Sequence, residues 1–393
     1  MKICILTPRF PFPENGGDVL RINEIARYLK KRNHELILVS FYEKNNPDIE
    51  SAHSCYDRVY LMRRNRFVSL VYSILFLIRR KPIQCGYYYS PSYNRLFKKV
   101  VAKEKPDLFI SHLLRMSEYL MSNHLEGKSI MEMTDALSKT YTLAAGAKSN
   151  WLKKSIYNIE KSPILREENK AITLYPKVVL VSPSDIDYFN NSNPHHRSSL
   201  FLHTNGVECL DAPENTYVSS KICFVGNMRT LQNQDAVIRF VKDIFPLIKE
   251  RISDAQFYVV GAEPPQKILD LADGNSVVVT GFVEDLYSVI KDSCVAVAPV
   301  TVAAGIQNKV LVSMGCGLPV VMSSLISNAI PQLVDHDNCM ICDENKSFAD
   351  CCVDLMTNKD LRNRIALAGY DMVRTNYSWD KKLEGYEVLH DSK

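Results

Sequence analysis

Apolar residues follow two alternating rhythms along the chain. Short continuous runs such as KICIL (2–6), HELILVSF (34–41), DLFISH (107–112), SIMEM (129–133) and KVVLVS (177–182) predict buried strands. Between them, stretches such as VLRINEIARYLKKR (19–32) and WLKKSIYNIEKSPILREENKAITLY (151–175) carry apolar residues at helical spacing, the second with one proline, Pro163. The rhythm breaks over HTNGVECLDAPENTYVSS (203–220), which is polar and rich in turn formers. A second series then begins. Strands are predicted at KICFV, AQFYVV, SVVVT, CVAVAP and LPVVM, and helices over 233–250, 284–292 and 306–315, with two more near the end.

Strands that alternate with helices imply parallel sheets covered on both faces. The fold class is therefore α/β, with two doubly wound, Rossmann-like domains over 1–205 and 221–376 and a linker at 206–220. The amphipathic YSWDKKLEGYEVL predicts that 377–393 is a helix packing back toward the first domain. No internal repeat or low-complexity segment interrupts the pattern. Ligands of such sheets sit at the carboxyl ends of the strands. Two such edges facing a central cleft imply an enzyme with one substrate per domain.

Composition narrows this picture. Among 393 residues, 46% are hydrophobic and 23% charged, and the net charge of +4 gives no support for nucleic acid as a partner. The eleven cysteines are odd in number and scattered, and Met1-Lys2 runs straight into ICILTP, so a reducing cytoplasmic location without a signal peptide is expected. Cys339, Cys342, Cys351 and Cys352 invite a zinc reading. However, NCMICD reads as a buried strand and FADCCVDLM as a helix face, so no metal site is expected. No run reaches the ~20 apolar residues of a spanning helix. The nearest, FVSLVYSILFLI (67–78), is flanked by Arg63, Arg64 and Arg66 and by Arg79, Arg80 and Lys81. Segment 63–81 is expected to lie on an anionic membrane surface, the other reading being a buried helix with basic ends.

Three stretches carry candidate chemistry. PENGGD (13–18) opens the first helix, and Gly16 and Gly17 leave bare backbone where helix amides attract anions. In FVGNMRTLQNQDAV (224–237), Gly226 ends a strand and Arg229 offers paired donors to a diphosphate. In AAGIQNKVLVSMGCGLPVV (303–321), a helix starting near Ile306 points its first amides outward beside Lys309, which would offset the charge of a leaving diphosphate. The plainer alternatives are an ordinary turn, a solvated loop arginine and a surface lysine. His112 at a strand end and the nearby Arg115 are weaker candidates for an acceptor phosphate or sugar, against a capping histidine and a surface arginine.

Together these stretches resemble the retaining glycosyltransferases of family four, which have the GT-B fold, and most of all bacterial members that build capsule, exopolysaccharide or O-antigen. The resemblance rests on LTPRFPFPENGGDVLR, VSPSDIDYF, TNGVE, FVGNMRTLQNQDAV, DAQFYVVGAEP, TGFVEDL, GIQNKVLVSMGCGLPVV and YSW, in that order. It implies that Gly16 and Gly17 lie over the acceptor side and the donor phosphates. Gly226, Arg229 and Lys309 would face the diphosphate. Phe282 and Val283 would line the nucleobase. Gly305, with Ile306 and Asn308 after it, would hold the donor sugar. Three departures stand out. Ala304 and Val312 occupy positions where relatives have glutamates. Gln232 and Asn233 stand near a usual lysine. Thr134 and Asp135 replace a histidine, giving Asp135 a role at the sugar, with Glu132 a weaker candidate. The implied activity is retaining, metal-independent transfer from a nucleotide-diphosphate sugar, with no further cofactor, to a glycan, with a lipid-linked acceptor expected. The rival readings are a non-catalytic GT-B subunit that binds glycan or a partner enzyme, and a nucleotide-sugar epimerase.

Overall fold

The computed structural model describes residues 1–14, 16–43, 47–146, 151–192, 199–210, 217–301 and 307–389. The chain forms two compact units, one of Met1–Asn205 with Leu383–Lys393 and one of Gly206–Lys382.

The sheet of the first unit holds β1 (Lys2–Thr7), β2 (Glu35–Tyr42), β3 (Arg58–Arg63), β4 (Leu108–His112), β5 (Ser129–Thr134), β6 (Lys177–Leu180) and β7 (Leu200–Leu202). Its order is β3-β2-β1-β4-β5-β6-β7, and every pairing is parallel. Both faces are covered, so central strands read as unbroken apolar runs: Ile3–Leu6 and Leu36–Val39 are completely buried. The helix Gly17–Lys31 buries Val19, Ile22, Ile25, Ala26 and Leu29, one apolar stripe at helical spacing. Sequence rhythm did not reveal β3 or β7. Both are edge strands; RVYLMR is half-exposed with arginine at each end, and LFL is only three residues long.

The second unit contains β8 (Val218–Val225), β9 (Gln256–Val260), β10 (Val277–Gly281), β11 (Ser293–Ala298), β12 (Val320–Met322) and β13 (Met340–Ile341), in the parallel order β10-β9-β8-β11-β12-β13. Each sheet reverses its order once, between β1 and β4 and between β8 and β11. These are the points where neighbouring loops diverge and leave room for a ligand. The helix expected over 233–250 runs over 231–249, with one wide π turn at Phe240–Ile244 just before Phe245–Lys249. That turn accommodates Pro246, which has no N–H to continue the α ladder.

Two expectations about the ends of the units need correction. The segment after Asn205 is not a free linker. Gly206 lies so close to Trp379 that a Cβ would stand 2.5 Å from the Trp379 backbone, Val207 bridges to Ser378, and the Tyr370 hydroxyl donates to the Leu210 carbonyl. Val218–Ser220, placed in the same linker by its polarity, begins β8. Nor do 377–389 form one helix: Trp379–Lys382 is a single turn, and from Leu383 the chain returns to the first unit in turns. Gly385 explains why, since its backbone takes φ 71° in the left-handed region.

The returning segment is tied into the first unit by buried polar groups. Lys177 Nζ donates to the carbonyls of Gly385, Tyr386 and Val388 at 2.8, 2.9 and 3.3 Å. The Tyr386 hydroxyl donates to Glu132 Oε2 at 2.8 Å. Glu132 also takes the Arg21 fork, Nε to Oε1 at 2.9 Å and Nη2 to Oε2 at 3.2 Å, and all three side chains are buried. Arg21→Met should therefore lower stability by about 3–5 kcal/mol, because it strands a buried carboxylate. Tyr386→Phe removes one hydrogen bond and should cost about 1–2 kcal/mol. Urea unfolding measures both; equal costs would show that the pair is not what compensates Glu132.

Candidate functional site

A cavity of about 560 Å³ opens in the first unit at the carboxyl ends of β1, β4 and β5. The loop after β1 and the start of the Gly17–Lys31 helix supply Arg9, Gly17, Asp18 and Arg21; β4 and β5 lead into Arg115, Thr134 and Asp135. Backbone strain concentrates here. Leu113 (φ 68°) and Thr134 (φ 70°) both adopt the left-handed region, which is costly for a β-branched threonine. Leu113 is held there by its N–H to the Glu132 carbonyl at 2.8 Å, and the Thr134 carbonyl accepts from Val181 N–H at 3.0 Å.

The charges around this cavity are unevenly matched. Arg9 pairs with Asp18. Arg21, besides its fork on Glu132, donates Nη1 to Asn205 Oδ1 at 3.0 Å. Arg115 donates Nε to the neutral Gln84 at 3.0 Å and lies over the Tyr88 ring, with no carboxylate partner among the described residues. Partial burial, with Asp185 nearby, raises the pKa of Asp135 above the ordinary carboxylate value.

A second cavity of about 340 Å³ lies in the second unit at the carboxyl end of β8, between Gly226–Thr230 and the helix Asn308–Gly315. Lys309 is half-buried here. Its ammonium donates to Asn233 Oδ1 and sits 5.2 Å from the Phe224 ring centre, with no carboxylate within ion-pair distance among the described residues. Burial pulls its pKa from 10.5 down to about 8. Asn233 is itself fixed, donating Nδ2 to the Asn227 carbonyl at 2.8 Å, and Gln232 donates to Gln307 at 3.1 Å. A half-buried cation with only neutral partners is a receptor for an anion.

The structure brings some of the expected residues together and separates others. Gly17, Arg115 and Asp135 line the first cavity, and Gly226, Asn233, Asn308 and Lys309 the second. Gly16 caps the first helix at φ 119° without lining the cavity. His112 and Glu132, expected at the acceptor, are both buried and line neither cavity. Burial takes His112 down to about 4, so it is uncharged at neutral pH, and Glu132 is consumed by Arg21 and Tyr386. Arg229 does not join Lys309. Its side chain is 69% exposed and forks onto Glu263, outside the cavity. Phe282 and Val283 follow β10, two strands from the reversal, and do not line this cavity. The helix expected from Ile306 is seen from Asn308; Ala304, Gly305 and Ile306 lie outside the described residues. Val312, where relatives carry a glutamate, lines the cavity with an aliphatic side chain. Cys342 and Cys351 lie side by side, and among the described residues no three metal-binding side chains converge.

Sequence reading missed Arg9, Arg21, Asn205 and Gln307. Arg9 and Arg21 sit inside LTPRFPFPENGGDVLR and Asn205 inside TNGVE, so the segments were visible. Arg21 was hidden because one face of an amphipathic helix reads as solvent until its buried partner is known.

Residues 219–358 match the family model of Glycosyl transferases group 1. The family match falls within the second unit, and both sheets share the two-domain architecture of the solved structures below. An uncharacterized 44.6 kDa protein in the cps region of Klebsiella pneumoniae is 20% identical over 395 residues, 97% of each chain. Among solved structures, Alr3699/HepE of Anabaena in complex with UDP-glucose aligns over 98% of this chain and 97% of its own, with 13% identity and a TM-score of 0.60. WaaG, a glycosyltransferase involved in lipopolysaccharide biosynthesis, aligns over 99% and 100%, with 12% identity and a TM-score of 0.56. At these identities the structural likeness establishes the fold.

The second cavity depends on one close approach. A Cβ on Gly261 would stand 1.9 Å from the Gly226 carbonyl oxygen, so the loops after β8 and β9 touch through backbone alone. Gly261→Ala should lower stability by at least about 1–3 kcal/mol. Thermal unfolding checks this; an alanine variant as stable as the parent would show that the two loops are not in contact.

Proposed function

We propose that the chain transfers a sugar, with retention of anomeric configuration, from a nucleotide-diphosphate sugar to a hydroxyl of a lipid-linked glycan in surface-polysaccharide synthesis. The observation that carries this reading is Lys309, a half-buried ammonium at the carboxyl end of β8 without a carboxylate partner among the described residues. The fold relative holding UDP-glucose and the relative in a cps region support a nucleotide-sugar donor and a polysaccharide product.

The donor diphosphate lies against Lys309 and the Gly226 backbone. As the glycosidic bond breaks, charge grows on the departing phosphate, and a cation fixed beforehand stabilises that state more than the ground state. The acceptor hydroxyl attacks the face that the diphosphate leaves and gives its proton to the leaving phosphate, so no covalent nucleophile is needed. The acceptor is held on the first unit, where Arg115 provides a cation and Asp135 accepts hydrogen bonds from sugar hydroxyls. Neutralisation by Lys309 and backbone makes the reaction independent of divalent metal and of any further cofactor. The enzyme works in the cytoplasm on the inner membrane face.

Membrane contact is supported by the helix Arg66–Ile78, whose packing is inverted. Ser69 and Ser73 point into the protein beside the buried Phe76, whereas Phe67, Leu70, Ile74 and Ile78 are 73, 58, 51 and 72% exposed. No described helix is long and apolar enough to cross a membrane. This one can lie on its surface with bases at both ends. A second reading, a non-catalytic glycan-binding subunit, draws on Val312 in the donor cavity.

Acceptor-dependent release of nucleotide from UDP-, GDP- or ADP-sugars, unaffected by EDTA, tests the assignment; donor binding without transfer or hydrolysis would favour the non-catalytic subunit. A second test uses pH. The free Lys309 pKa is depressed to about 8, and a bound diphosphate raises it. UDP affinity should therefore be flat from pH ~7, where the terminal phosphate is already ionised, to pH ~8; above pH ~8 binding takes up a proton and the affinity should fall up to about tenfold per unit. Lys309→Met should bind weakly at every pH with no such slope. Calorimetry of UDP binding checks this, and a flat profile in the parent would remove Lys309 from the diphosphate site.

A further inference from the structure

The first unit has another basic cavity that the transfer reaction does not use. It measures about 540 Å³ and is lined by Glu43, Arg63, Arg64, Asn65 and Arg66, where β3 ends and the inverted helix begins. Its chemistry is that of an anion site. Three arginines and one carboxylate line it. The helix has no acidic residue in its first turn, so the positive end of its dipole is offset only by Asn65 Oδ1, which accepts from Phe67 and Val68 N–H at 2.9 and 3.3 Å.

Arg64 is the built element. Its side chain is only 7% exposed. The guanidinium pairs with Glu43 and lies 4.3 and 5.1 Å from the ring centres of Tyr87 and Tyr88. Nε and Nη1 are buried and have no hydrogen-bond acceptor among the described residues. Burying part of a guanidinium fork unsatisfied is costly, and an incoming anion that competes with Glu43 relieves that cost.

Directly beside the cavity runs the exposed stripe of Phe67, Leu70, Ile74 and Ile78. A phosphate-sized anion site joined to an apolar stripe matches an amphiphile that carries both parts. We infer that this cavity binds the headgroup phosphate of an anionic phospholipid while the stripe enters its acyl layer. The inference rests on the membrane reading above and sharpens it from a diffuse field to a defined phosphate site.

Sedimentation of the full chain tests it with vesicles of phosphatidylcholine alone, or doped to equal surface charge with phosphatidylglycerol or with the phosphate-free anion oleate. A phosphate site predicts several-fold tighter binding to phosphatidylglycerol than to oleate. Arg64→Lys keeps the charge but loses the fork, and should erase that preference while binding to oleate vesicles persists. If Arg64→Lys does not fold, judged by thermal unfolding, the exposed pair Arg63→Gln and Arg66→Gln should weaken phosphatidylglycerol binding roughly fivefold per charge and reduce the preference. A preference unchanged in these variants, or absent from the parent, overturns the phosphate site but leaves membrane association standing. Unchanged vesicle binding in Leu70→Ser with Ile74→Ser would instead overturn the membrane reading. Stabilisation of the parent by inorganic phosphate, lost in Arg64→Lys and without any vesicle preference, would assign the cavity to free phosphate and overturn the lipid.

Discussion

A parallel sheet that reverses its strand order leaves one place where successive loops leave in opposite directions, and the rest of this protein's chemistry is arranged around that constraint. The reversal between β1 and β4 leaves a gap in the first unit; the reversal between β8 and β11 leaves one in the second. Each gap is framed by strand ends and helix starts, and the first also by Leu113 and Thr134 in the left-handed region. Polar side chains that reach these edges must find partners or remain available to a ligand.

The two outcomes can be separated by asking what compensates each buried charge. Glu132 is matched by the Arg21 fork and two hydroxyls, from Tyr386 and Thr134, and is structural. This cluster also explains how a short terminal segment is retained: Tyr386 belongs to it, and Lys177 collects three carbonyls of the same segment. Lys309 and Arg64 are different. Among the described residues, Lys309 has an amide and an aromatic face but no carboxylate, and Arg64 has one carboxylate and two idle donors. Charges left incompletely matched inside otherwise well-satisfied units are where ligands are expected.

The helix Arg66–Ile78 obeys the same logic for apolar surface. A soluble unit normally turns serines outward and large aliphatic side chains inward; here two serines turn inward beside Phe76, and four large apolar side chains turn outward along one face. Contiguous exposed apolar surface of this kind marks contact with another phase or molecule. On the membrane reading proposed above, its basic flanks favour an anionic layer.

The pattern of apolar residues by itself determined the α/β class, the two doubly wound units and the place of most central strands, because strands covered on both faces must be apolar throughout. It also located the segments that line both cavities, through short runs ending in glycine and a helix start. It could not show which way a polar side chain turns there. Arg229 goes to Glu263, His112 and Glu132 go inside, and Lys309 goes to Asn233, 76 residues away. The Arg21–Glu132 pair joins residues 111 apart. Periodicity reports which face of an element is apolar, but not what that face meets. Charge compensation is settled between distant parts of the chain, so only the tertiary structure could decide which cations are spent on the fold and which remain for a ligand.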